Sequence, residues 1–135
     1  MARRTPAQGK PARSAAYGPH VSPYALFGGA AIALGLGVTL ALIWGVGLNW
    51  YLAWILAWSV ITFAFYGYDK RQAVAQGLRV PEIVLHALAL VGGFIGGWAG
   101  RAYFHHKTRK PAFLIVLVIA TLLNLGVFFW LLSRR

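Results

Sequence analysis

The sequence predicts an all-α integral membrane fold. It has three transmembrane helices plus a glycine-broken segment that enters and returns as a re-entrant helical hairpin; four full transmembrane helices are the alternative. Two observations predict this class. No Asp, Glu, Lys or Arg occurs between Arg13 and Asp69, a run far longer than the ~20 apolar residues that one crossing needs. Charged residues make up only 11% of the chain and apolar ones 59%, where a soluble domain carries about 25% charged residues. The excess of 13 Lys and Arg over 2 Asp and Glu would suggest nucleic acid in a soluble chain. Its uneven placement points instead to topology across a bilayer.

Residues 1–23 hold Arg3, Arg4, Lys10 and Arg13 among Pro, Gly, Ala and Ser. That composition cannot build a core and predicts a disordered, basic, cytoplasmic tail. Residues 24–135 then form a single helical membrane domain. The first span, 24–48, is too long for the ~7–15 apolar residues of a cleaved signal peptide, so a retained span is expected. Ala31/Gly35 and Ala33/Gly37 have the small-xxx-small spacing that lets helices approach closely in lipid. A short turn leads to the second span, 50–68, giving an antiparallel hairpin. Trp44, Trp50 and Tyr51 mark one interface, and Tyr66 and Tyr68 the other.

The polar stretch from Asp69 to Pro81 must lie outside the hydrocarbon. Pro81 suits a helix start, and Glu82 in the first turn complements the helix dipole. The segment 82–104 is apolar, but Gly92, Gly93, Gly96 and Gly97 interrupt it, and each Gly costs ~1 kcal/mol relative to Ala in a helix interior. A helix from Glu82 to Val91 reaches ~15 Å, about half the hydrocarbon. If the segment returns about Phe94, eleven cations share the cytoplasmic side and only Arg134 and Arg135 the other. A full crossing would strand Arg101, Lys107, Arg109 and Lys110 on the far side, against the positive-inside rule. The last span covers 112–132. Within it, Asn124 is expected to make a helix–helix hydrogen bond.

The chemistry available is sparse. Zero cysteines exclude disulfides, thiolate sites and lipid attachment at Cys. Glu82 and His86 share a helix face at i,i+4, and with His105 or His106 they could supply ligands for zinc or iron. Arg101, Lys107, Arg109 and Lys110 would oppose a divalent cation there. No metal or other cofactor is therefore predicted, and Glu82 is expected to partner His106 or Lys107. Asp69 beside Lys70 and Arg71 reads as an interfacial charge pair that fixes depth. No catalytic set, phosphate loop or nucleotide fingerprint is present.

What remains is a basic cytoplasmic rim: Lys70, Arg71, Arg79, Arg101, His106, Lys107, Arg109 and Lys110. Each cation near an anionic leaflet contributes ~1 kcal/mol. The expected partners are the membrane and its anionic lipid headgroups, together with an acidic membrane-protein partner or a second copy in a homo-oligomer. Nucleic acid would bind the same charges through phosphate, but few aromatics interleave with them, so base stacking has little support. The function expected is that of a binding or accessory subunit of the bacterial inner membrane rather than an enzyme, with a cytoplasmic N-terminus. The alternatives are a metal-dependent membrane enzyme using Glu82, His86 and His106, and a small oligomeric transporter through the glycine hairpin.

Tyr68-Asp69-Lys70, then Arg79-Val80-Pro81-Glu82 with Leu85-His86, form the start of an ordered motif set. Gly92-Gly93 with Gly96, then His106-Lys107-Thr108-x-Lys110 and Phe113, complete it. Over about residues 50–132 this set resembles the bacterial domain-of-unknown-function family 1294. The resemblance implies a small multi-spanning membrane domain and brings no established activity. Some members are fused to a cold-shock nucleic-acid-binding domain. This chain has only a short basic tail there, preceding an extra first span. The positions carried over by the motif are Asp69, Lys70, Arg79, Pro81, Glu82, Gly92, Gly93, His106, Lys107 and Lys110.

Overall fold

The computed structural model describes residues 21–105 and 110–135. The elements in order are α1 (Pro23–Val46), α2 (Trp50–Ala75), α3 (Glu82–Leu88), a π-helical turn (Ala89–Gly93), α4 (Phe94–Phe104) and α5 (Pro111–Ser133). No strand occurs among the described residues. Four helical stretches are long and apolar enough to cross a membrane: α1, α2, the whole of Glu82–Phe104, and α5. The architecture is that of an all-α, multi-pass membrane protein. The basic tail 1–20 and the segment 106–109 lie outside the described residues.

Local chemistry sets the helix ends. Ser22 caps α1, its hydroxyl accepting the Ala25 N–H at 3.2 Å, and Pro23 takes the first helical position, where its missing N–H costs nothing. Gly47 ends α1 at a φ of 72°, and the Asn49 side chain caps α2 through the Tyr51 N–H at 3.0 Å. The face of α1 that meets α2 is Phe27, Ala31, Gly35 and Thr39, one residue per turn. The Trp58 ring lies on Gly35, whereas Gly37 faces open space. Of the two small-residue pairs, only Ala31/Gly35 serves packing. α2 continues to Ala75, past the boundary at 68 that polarity suggests. Lys70, Arg71 and Gln72 are good helix formers, and the helix stops only where Gln76 turns left-handed ahead of Gly77.

The segment 82–104 doubles back on itself. In a continuous helix, residues 89 and 97 would stand about 12 Å apart along the axis. Here the Ala89 methyl is 3.8 Å from where a Cβ on Gly97 would lie. Both ends of the segment meet neighbouring residues of α2. The Val80 N–H donates to Asp69, and Lys70 donates to the Phe104 carbonyl. The tip meets the other end of α2, where the Trp54 indole donates to the Val91 carbonyl at 2.8 Å. Trp54 and Asp69 are separated by about 22 Å of helix, so the mouth and the tip of the hairpin meet opposite ends of α2.

The reversal is made at Gly92, with φ 152° and ψ −7°, a positive φ that favours glycine because it has no Cβ. This corrects the expected pivot at Phe94. Gly96 and Gly97 are not part of the turn but lie inside α4. Gly96 lets the α4 backbone rest on the Ser59 carbonyl of α2, and Gly97 makes room for Leu117 of α5.

A broken helix frees carbonyls that must find donors in an apolar setting. Three side chains supply them at the tip. Trp54 serves Val91, Asn124 serves Leu90 at 3.3 Å, and Ser59 serves Gly92 at 3.4 Å. Asn124 thus makes the interhelical bond expected of it, and Tyr51 locks the same place by donating to the Asn124 carbonyl at 3.0 Å. Between the arms, the core holds Tyr66, Leu85, Phe113 and Leu117, each 1% exposed or less. Tyr66 is therefore a core residue and not an interfacial one: its ring stands edge-on to Phe113 at 6.3 Å and closes over Gly100. Tyr68, in contrast, is exposed, with its ring against Phe27.

Candidate functional site: the cationic end

The open end of the hairpin gathers most of the charged side chains among the described residues. Asp69 lies in the last third of α2 and is fully buried. The connection after α2 folds back over it, so that Oδ1 accepts the Val80 N–H at 3.2 Å and Oδ2 the Arg79 guanidinium at 3.4 Å. Adjacency suggests Lys70 or Arg71 as partner; Arg79 and Val80 supply these two bonds. Successive residues on a helix point in different directions, and the carboxylate faces the entrance of α3 instead.

Lys70 turns to the Phe104 carbonyl and so caps the end of α4, a favourable place for a cation. Arg71 points outward and is exposed. Glu82 pairs with Lys110, the residue that precedes α5. α5 starts beside α3, which brings Lys110 to Glu82. The partners expected for Glu82, His106 and Lys107, lie outside the described residues, as does Arg109. The His86 ring packs on Phe113 with 4.4 Å between centroids. Arg101, in the last turn of α4, is partly buried and within electrostatic reach of Tyr66, as is Asp69. His105 is exposed and ends α4 in a left-handed conformation at φ 48°.

Among the described residues no three His, Asp or Glu side chains come together in a way that could hold a metal ion. The combination of Glu82, His86 and His105 is therefore not assembled: Glu82 faces Lys110 and His86 faces Phe113. What the end offers is cationic and grooved. A groove of about 380 Å³ runs between the overhang of α2 and Phe104, bordered by Lys70, Arg71 and Val74. A second, of about 360 Å³, lies between the start of α1 and the start of α3, bordered by Tyr24, Arg79 and Glu82. Of the Lys and Arg among the described residues, five stand at this end (Lys70, Arg71, Arg79, Arg101 and Lys110), while Arg134 and Arg135 stand at the other.

Comparison with known proteins matches residues 59–113 to a family described as "Protein of unknown function (DUF1294)". A relative, the uncharacterized protein YsdA of Bacillus subtilis (strain 168), is 34% identical over 61 residues, which is 45% of this chain and 68% of that protein. The chain belongs to the DUF1294 family. No solved structure matches. The DUF1294 stretch is narrower than the 50–132 suggested by the motifs, and its limits are physically meaningful. It opens at Ser59, which underlies Gly92 and Gly96, and closes at Phe113, on which Tyr66 and His86 rest. The whole hairpin and the buried Asp69 lie within it. α1, Trp54, Asn124 and most of α5 lie outside it, so two of the three donors at the tip come from beyond the family segment.

Sequence reasoning missed Trp54 and Ser59 as donors to the hairpin tip. An indole and a hydroxyl on α2, opposite a glycine pair in the next segment, were the available signal. Neither residue is distinguishable from ordinary membrane-helix composition until the reversal point is known.

Proposed function

We propose that this DUF1294 protein is a multi-pass protein of the bacterial inner membrane whose cationic end binds anionic lipid headgroups. In this reading it serves as a binding or accessory subunit. The N-terminus and the mouth of the hairpin are cytoplasmic, and 82–104 re-enters the bilayer from that side. One observation carries the reading: five of the seven described cations share the end where the hairpin opens, the distribution that the positive-inside rule assigns to the cytoplasm. The groove at Lys70 and Arg71 joins those cations to the apolar Val74 and Phe104, a pairing that suits a phosphate above an acyl chain.

The test is co-extraction of native lipid with the full chain in polymer-bounded discs. The wild type should carry more phosphatidylglycerol, relative to phosphatidylethanolamine, than the bulk membrane. Arg71→Glu changes an exposed side chain by two units of charge. At ~1 kcal/mol per charge near the surface, it should reduce binding at that groove by tenfold or more. An unchanged lipid ratio in the variant sinks the proposal; retention of an acidic protein in place of lipid would equally redirect it.

A further inference from the structure

The opposite end of the molecule carries a second feature that the cationic mouth does not explain. A groove of about 560 Å³ runs between the first turn of α2 and the last turns of α5, with Trp50, Leu52, Phe128 and Leu132 along it and Arg134 and Arg135 at its rim. The Arg134 guanidinium carbon sits 4.2 Å from the centre of the Trp130 ring. Indole and guanidinium together hold this end at an interface, since Trp prefers the headgroup level and the cation–π contact fixes the arginine against it.

No acidic side chain stands near this rim. The chain contains two acids, Asp69 and Glu82, and both are held at the hairpin mouth by Arg79, Val80 and Lys110. That mouth is about 22 Å or more away along α2. Two adjacent arginine side chains therefore stand over an apolar groove with no acidic side chain near them. The complement of such a groove is one molecule with an anionic head and an aliphatic body.

We infer that the groove between α2 and α5 holds one anionic diacyl phospholipid of the leaflet at the Trp50 end. Its phosphate lies on Arg134 and Arg135, and one acyl chain lies along Trp50, Leu52 and Phe128. The apolar wall alone would accept any lipid tail. The arginine pair supplies the selection for an anionic head, because guanidinium groups match phosphate oxygens in pairs. The Asn49 cap and the Tyr51 hydroxyl, which is committed to Asn124, keep the α2 side of the groove rigid.

Native mass spectrometry of the full chain in mild detergent, titrated with phosphatidylglycerol or phosphatidylcholine, tests this directly. The wild type should retain one phosphatidylglycerol at this site in preference to phosphatidylcholine. R134Q/R135Q should weaken that adduct roughly thirtyfold, the order expected for two cations lost beside an anionic head. Leu52→Trp fills the groove while leaving both arginines, and it should remove the same adduct. Inorganic phosphate should not displace the lipid. Equal retention of the two lipids by the wild type, undiminished retention by R134Q/R135Q or by Leu52→Trp, or displacement by phosphate alone would each overturn the assignment. The Arg71→Glu protein should keep this adduct, so failure at the hairpin mouth and failure here are separately visible.

Discussion

Replacing Gly96 with Leu is expected to unfold the hairpin from α2. The position has no free space on the side that matters, since a Cβ there would collide with the Ser59 carbonyl and Cα, both backbone atoms of a neighbouring helix. No rotamer relieves such a clash, so α4 must move away from α2 as a unit. Overpacking a well-fitted core costs about 1–3 kcal/mol and occasionally more, and contact with backbone places this case at the upper end. Separation of α4 would also pull the Gly92 carbonyl from Ser59 and the Phe104 carbonyl from Lys70. Thermal unfolding in detergent should show a loss of about 3 kcal/mol. Gly37→Leu is the matched control, because Gly37 has nothing within 4 Å, and its melting temperature should hold steady. A wild-type melting temperature for Gly96→Leu would contradict the packing described here.

The second large effect is expected at Asp69. Its carboxylate is fully buried and accepts from the Val80 amide and the Arg79 guanidinium. Asp69→Ala leaves a buried N–H without its acceptor and removes the anchor of the turn into α3. Hydrogen bonds to a charged group contribute about 1.5–3 kcal/mol each, and breaking a buried ion pair costs about 3–5 kcal/mol. Arg79 is about half exposed at its side chain, so water recovers part of its loss and the total should fall near 3 kcal/mol. Asp69→Asn retains an amide oxygen for the Val80 N–H and should recover part of that stability. Amide hydrogen exchange at Val80 provides the local readout: fast in Asp69→Ala, intermediate in Asp69→Asn and slow in the wild type. Slow exchange at Val80 in Asp69→Ala would show that the carboxylate does not hold the turn.

The spans were legible because membrane crossing is encoded by the absence of charge, and the run from Arg13 to Asp69 makes that absence plain. The glycine break was legible because glycine has a local cost in a helix that any fold must answer. What was not legible is which way the side chains face. α1, α2 and α5 are apolar around nearly their whole circumference, so no stripe distinguishes a core residue from one facing lipid. Tyr66 illustrates this: position alone places it at an interface, and only the packing of α4 and α5 shows that it fills the space between the hairpin arms. Glu82 illustrates a second limit. Its neighbourhood depends on how α5 docks beside α3, which brings Lys110 to it. The end of α2 at Ala75 illustrates a third, since polarity marks where hydrocarbon ends and not where a helix ends.

The central claim is that residues 82–104 start and finish on the same side of the membrane. The chain has no cysteine, so single-cysteine variants report position without background. Leu78→Cys, His105→Cys and Ser133→Cys place probes before the hairpin, after it and at the end of α5, all at exposed positions. Labelling with a membrane-impermeant maleimide in oriented membranes should modify 78 and 105 from one side and 133 from the other. Modification of 105 from the side opposite 78 would contradict the hairpin and establish a fourth full crossing.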